Sequence, residues 1–155
     1  MAAPQLKNAQ QNARSINIEV SLPARDRLTL ELEVDRDEVK RAQLVVVGCT
    51  EILKLAQEWR PKLKGPLAQI PLPEGTGHAV LMLREAILKA RGEWKFPYTD
   101  EELCHCRAVA TSKVDAAIVG GCHSMQAVAQ ETSAGTSCGT CRVDTDAIIK
   151  YRLGR

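Results

Sequence analysis

The sequence predicts an α+β fold: a three-stranded antiparallel sheet with two helices, followed by a small all-helical region that carries four closely spaced cysteines. Three observations lead there. Apolar and polar residues alternate in short runs within residues 15–48, which is the period of a half-buried strand. Apolar residues then recur at helical intervals in "TEILKLAQEW" and "HAVLMLREAILKARG". From Thr99 onward, short apolar segments are punctuated by Ser, Thr and Gly where helix caps are expected.

In chain order, residues 1–15 are polar and read as a tail. "SINIEV" and "LTLELEV" are alternating strands separated by Pro23, and "AQLVVVG" is a third, ending at Gly48. Joined by short polar turns, they form a meander. The helix containing Ile52, Leu53, Leu55, Ala56 and Trp59 is limited by Pro61. "PLAQIPLPEGTG" holds three prolines and two glycines and is a loop. The second helix presents Val80, Leu83, Ile87 and Ala90 on one face and closes at Arg91–Gly92. The expected domain runs from 16 to 92, with 93–98 as a linker whose Trp94, Phe96 and Tyr98 dock it onto a neighbour. The second domain is 99–155. There, Thr99 and Glu102 form a capping box for a short helix ending at the first cysteines, and Thr111 or Ser112 caps the next. Ser124 caps a third, and a last helix runs from about Gly139 to Leu153.

The chain has 155 residues and a net charge of +2, with no clustered basic surface of the kind a nucleic-acid binder needs. No stretch approaches the ~20 apolar residues of a membrane span, and the N-terminus lacks a signal-peptide core. These features predict a cytoplasmic protein. In a reducing compartment, its six cysteines point to metal binding or redox chemistry rather than disulfides.

Cys104 and Cys106 form a C-x-C pair, and Cys138 and Cys141 a C-x-x-C pair. In an extended loop, the first two sulfurs turn toward one point. The second pair makes a tight turn through Gly139, and Cys141 opens a helix whose N-terminus favours thiolate. Four thiolates on short loops hold either zinc or an iron–sulfur cluster. Neither the bacterial nor the plant-type ferredoxin spacing fits. Arg107, Lys113 and Arg142 are near the ligands in sequence and could offset their charge or serve as plain surface cations. His105 is read as a solvent-facing residue, with a hydrogen bond to the bound group as the other reading. Cys122 is read as a small core residue.

The pieces "CHC", "VATSKVDAAI" and "SMQAVAQETSAGTSCGTC", with the closing helix, resemble the bacterioferritin-associated ferredoxin family, whose domain also occurs in NifU-type assembly proteins. The resemblance covers 103–151, about a third of the chain, and its most specific phrase is "T-x-A-G-x-x-C-G-x-C" from Thr132 to Cys141. It implies a small helical fold in which Cys104, Cys106, Cys138 and Cys141 bind a [2Fe-2S] cluster near the surface.

"LTLELEVDRDEVKRAQLVVVGCTEILKLAQEW" and "GHAVLMLREAILKA" resemble, more loosely, the scaffold domain of U-type iron–sulfur assembly proteins. That family uses three cysteines and an aspartate. Here Cys49 matches the middle cysteine and Asp26 the aspartate. Ala24–Arg25 and Ala79 stand where the other two cysteines would be. The resemblance therefore implies the fold, in a degenerate form, more than the scaffold function. A single thiolate cannot hold a cluster within one chain, which leaves Cys49 as a packed thiol, a sulfur acceptor, or a ligand shared in a homodimer. Asp26, Cys49 and His78 are also the candidate donors of a secondary metal site.

Together these readings predict a non-enzymatic [2Fe-2S] protein acting in electron transfer or iron–sulfur cluster assembly, with a redox or assembly protein as partner. A structural zinc-binding interaction module is the alternative. The chain's three histidines and the absence of a nucleophile elbow give a hydrolase or transferase little support, and Ser124 beside His123 is better explained as a cap.

Overall fold

The computed structural model describes residues 12–155; the expected tail lies outside them as far as residue 11. Four antiparallel strands form one sheet in the order β1-β2-β3-β4: β1 (Ala13–Leu22), β2 (Asp26–Asp35), β3 (Glu38–Val47) and β4 (Gly65–Pro66). The period-two pattern sets which face is inward. Leu28, Leu30, Leu32 and Val34 of β2 are buried, while Arg27, Glu31 and Glu33 between them are exposed. Arg36 and Asp37, both at positive φ, make the two-residue turn between Asp35 and Glu38, and their backbone twist suits a hairpin. The register shifts between Glu33 and Val34, so Val39 and Ala42 both face inward although three residues apart.

The fourth strand was not expected. Residues Gly65 and Pro66 pair with Val39 and Glu38 where the loop after the first helix crosses the sheet edge, and a two-residue strand leaves no sequence pattern. Helix α1 (Thr50–Trp59) packs on β3, and a turn of 3-10 helix through Pro61 ends it. Helix α2 (His78–Ala90) lies across β1 and β2. Its buried surface is wider than one face: Leu81, Met82 and Glu85 are buried as well as Leu83, Ile87 and Ala90, whereas Val80 is only half-buried. The reason is that α2 has the sheet on one side and the C-terminal helices on another.

The C-terminal region is not all-helical. A small hairpin of β5 (Glu102–Cys104) and β6 (Val109–Ala110) precedes α3 (Thr111–Val119), α4 (Met125–Thr132) and α5 (Arg142–Leu153). The expected short helix capped by Thr99 is replaced by β5, because Glu102 and Cys104 pair with Ala110 and Val109 across a turn that holds Ala108 at positive φ. The N-cap of α3 is Ala110. Thr111 instead donates its hydroxyl to the Asp100 carbonyl at 2.6 Å and its N–H to the Glu101 carbonyl at 2.7 Å, tying the hairpin to the helix. Ser124 caps α4 as expected, accepting the Ala127 N–H at 3.2 Å. The last helix starts at Arg142, with Cys141 at its N-cap.

Residues 93–98 are held in place. Trp94 and Phe96 pack around Tyr151 of α5, with ring centroids 5.1 Å and 6.3 Å from it, and the Tyr151 hydroxyl accepts the Lys95 N–H at 2.8 Å. The buried Arg152 then joins α5 to α2 and α3, reaching Glu85 at 2.7 Å and Asp115 at 2.6 Å. One contiguous apolar core runs through both halves, from Leu30 and Leu83 to Ile118 and Ile148. Among the described residues, no helix is long and apolar enough to cross a membrane.

Candidate metal centre

The β5–β6 turn and the α4–α5 loop bring the four cysteines together. Cys104 ends β5 and Cys106 lies in the turn that follows, which folds back so that their sulfurs come 3.7 Å apart. Cys138 reaches the same spot from the opposite loop, 3.5 Å from Cys106. Cys104 and Cys141 are buried, and Cys106 and Cys138 are exposed. The site thus grades from a buried pair of thiols to an exposed pair.

Small polar groups shape the second loop. Thr132 donates to the Val128 carbonyl at 2.7 Å and accepts the Ala134 N–H at 3.1 Å, turning the chain out of α4. Ser133 at positive φ completes the reversal. Gly135 is needed for two reasons: its φ is +74°, and a Cβ there would lie 3.1 Å from the Arg142 side chain and 3.8 Å from the Cys141 sulfur. Arg142 donates to the Gly135 carbonyl at 3.0 Å and so closes the loop. Thr145 anchors the start of α5 by donating its hydroxyl to the Cys141 carbonyl at 2.9 Å.

The electrostatics favour thiolate at one of the two buried cysteines, Cys104. Burial pushes the Cys104 thiol up. The backbone N–H groups of Gly135 and Arg107 and the thiols of Cys141 and Cys106 outweigh this, leaving Cys104 below the ordinary thiol range. Burial pushes Cys141 up to about 11, and its hydrogen bond to Cys104 adds to the rise. A bound metal takes both sulfurs as thiolates and so displaces the proton that burial keeps on Cys141. N–H groups aimed at a buried sulfur suit a tetrathiolate group, whose sulfurs accept such bonds.

Residues 103–151 match the family model described as the BFD-like [2Fe-2S] binding domain. That span contains all four of these cysteines, so the BFD-like region and the thiol site coincide. The donor set, the backbone N–H groups and the family together indicate iron–sulfur cluster binding. No curated protein and no solved structure matches the chain.

The other sequence candidates in the BFD-like region separate clearly. His105 is exposed and its Nδ1 meets Glu102 at 2.7 Å, so it is a solvent-facing residue. Arg142 acts on the loop itself. Lys113 instead faces a hollow that it shares with Arg25, Cys122 and Glu131. Cys122 is half-buried against the core, and burial followed by the nearby Glu131 raises its thiol. Sequence reasoning missed the work of Thr132, Gly135 and Thr145. Thr132 and Gly135 belong to the "T-x-A-G" phrase, which was the available signal.

A second cluster lies at the end of the sheet. Asp26 opens β2, Cys49 precedes α1, and His78 opens α2; one donor atom from each lies within 4.8 Å of the others. Asp26 accepts the Cys49 N–H at 2.7 Å. Gly48 allows that approach, since a Cβ there would sit 2.0 Å from the Asp26 carboxylate. The sequence candidates Asp26, Cys49 and His78 are therefore brought together. Glu51, which meets His78 Nδ1 at 3.3 Å, was not foreseen, because an exposed acid in a first helical turn is ordinary.

Proposed function

We propose that this protein binds a [2Fe-2S] cluster on Cys104, Cys106, Cys138 and Cys141 and passes single electrons to a protein partner. The observation that carries the reading is the exposed pair Cys106 and Cys138, 3.5 Å apart at the outer end of the site, within the segment that matches the family. When bound, the cluster supplies reversible one-electron chemistry. The residues of this chain hold and surround it. Cys104 and Cys141 fix its inner end, and the Gly135 and Arg107 N–H groups face the Cys104 sulfur. Arg142 and the N-terminus of α5 place positive charge beside the thiolates.

Delivery of the cluster or its iron during iron–sulfur assembly is the second form of this reading. The resemblance of the N-terminal half to a U-type scaffold favours it, with Cys49 as the one retained cysteine of three. In both forms the α+β half docks the partner and the protein is a carrier, not an enzyme.

Anaerobic purification with iron, sulfide and zinc quantitation, visible absorption, and EPR after dithionite tests the reading. Two irons and two sulfides per chain are expected, by the composition of such a cluster. Cys106→Ser should bleach the chromophore, and Cys122→Ser should not. A colourless protein with zinc and no sulfide overturns the proposal. Loss of the chromophore to an added apo-acceptor selects delivery over electron transfer.

A further inference from the structure

The two outer edges of the four-stranded sheet are treated differently. The β3 side is covered. Gly65 and Pro66 pair with Val39 and Glu38, the Leu67 N–H reaches the Asp37 carbonyl at 2.7 Å, and Arg60 Nε donates to the Leu44 carbonyl at 3.2 Å. A very short strand carrying proline is one of the devices that blunt an edge. The β1 side has no such device. Its ten residues pair with β2 in unbroken register and include no proline, lysine or bulge. Among the described residues, no hydrogen bond outside the β1–β2 ladder involves a backbone group of Ala13–Ser21.

The bare part of this edge is its first half. Residues 19–23 share a hollow with Ser112, Asp115 and Ala116, so α3 stands beside the second half. In the open stretch, Ala13 to Ile18, the side chains of Ile16 and Ile18 face inward yet stay half-buried, whereas Leu32 and Leu30 opposite them on β2 are fully buried. Charge does not guard the stretch either. Arg14 meets Asp37 at 3.3 Å and Glu19 meets Arg27 at 3.6 Å, so both charged residues of β1 are matched within the chain.

We propose that β1 pairs antiparallel with β1 of a second copy, about a two-fold axis at Ile16, joining the two sheets into one. Only registers that set inward residues opposite inward residues keep the apolar faces together. Centred on Ile16, the pairing sets Ile16 against its own counterpart, Ser15 against Asn17 and Arg14 against Ile18, and stops short of α3. Ile16 of one copy is then the diagonal neighbour of Ile18 of the other, so the half-buried isoleucines cover each other. A shift of the axis to Ser15 puts Arg14 against Ile16, and a shift to Ile18 runs the ladder into α3. The assembly closes, because the edges left outermost are the blunted ones. Residues 1–11 suit the edge less well: they hold a proline and no β-branched residue.

The test is analytical ultracentrifugation of the full chain across a concentration series, with a thiol reductant present to exclude disulfide-linked species. The mass should rise from 17.0 kDa toward twice that value. Ser15→Asp combined with Asn17→Asp places like charges opposite each other twice and should weaken the dimer about 10-fold. Both positions are exposed, so the circular dichroism of this variant should be unchanged. Ser15→Lys combined with Asn17→Asp places opposite charges there and should restore the dimer. Deleting residues 1–11 should leave dimerisation intact. A chain that stays monomeric at every concentration overturns the proposal, as does equal dimerisation by the paired aspartate variant. A dimer that forms only after the deletion overturns it too, and assigns the edge to residues 1–11. Cys106→Ser should dimerise like the intact chain, so this result stands apart from the [2Fe-2S] reading.

Discussion

At the scale of single residues, the geometry of the thiol site depends on a few positions that carry no metal-binding atom. Gly135 is the clearest. Alanine there would have to hold a positive φ and press its Cβ toward Arg142 at 3.1 Å. Gly135→Ala should therefore destabilise the protein by about 1–3 kcal/mol and speed loss of the chromophore, followed by absorbance during a chelator challenge. Cys122 gives a pH prediction. Burial and Glu131 raise its pKa, so the folded chain holds it as a thiol to higher pH than the unfolded chain does. Since the thiolate is the reactive form, its alkylation near pH 8, read by mass spectrometry, should be slower than in the denatured chain. Its rate should keep climbing above pH 9, the ordinary value. The same linkage makes its burial favourable at low pH and progressively lost as pH rises past 9.

At the scale of elements, caps and hairpins decide where the sulfurs point. Ser124 starts α4 with a side-chain hydrogen bond, and the loop after α4 carries Cys138 and Cys141. Ser124→Ala should cost about 1 kcal/mol, read by thermal unfolding, with the absorption spectrum unchanged because the cap lies at the far end of the helix. The expected helix at Thr99 shows why element type was harder to read here. "YTDEELCHC" satisfies a capping-box pattern, yet three residues of it pair as a strand. A capping box supplies about 1 kcal/mol of local preference. The β6 partner and the packing of Leu103 and Cys104 in the core outweigh that.

At the scale of the whole molecule, the two halves are joined by charge as well as by apolar contact. Arg152 is buried between Glu85 of α2 and Asp115 of α3, and its ring-facing side lies 4.8 Å from the Trp94 ring. Removing it leaves two carboxylates facing each other in a mostly buried place. Arg152→Ala should destabilise the chain by about 3 kcal/mol or more, measured by denaturant unfolding. Both halves should be affected, because Glu85 sits on the helix that covers the sheet. Separate unfolding of the halves, with the α+β half unmoved, would contradict that coupling.

The sequence by itself determined the strand alternation, the two long helices, the Ser124 cap and the pairing of cysteines by twos. Each is a local pattern, set by side-chain period or by residues adjacent in the chain. Tertiary structure alone decided the rest. The two-residue β4, the β5–β6 hairpin, the several buried sides of α2 and the Arg152 triad come from contacts between distant segments. The sheet-end cluster divides between the two: Asp26, Cys49 and His78 were legible as one candidate group, but the orphaned oxygen of Asp26 and the part played by Glu51 were not. Spacing along a chain constrains only neighbours, whereas a metal site is a matter of which lone pairs meet in space, and that is fixed only once the sheet and helices have packed.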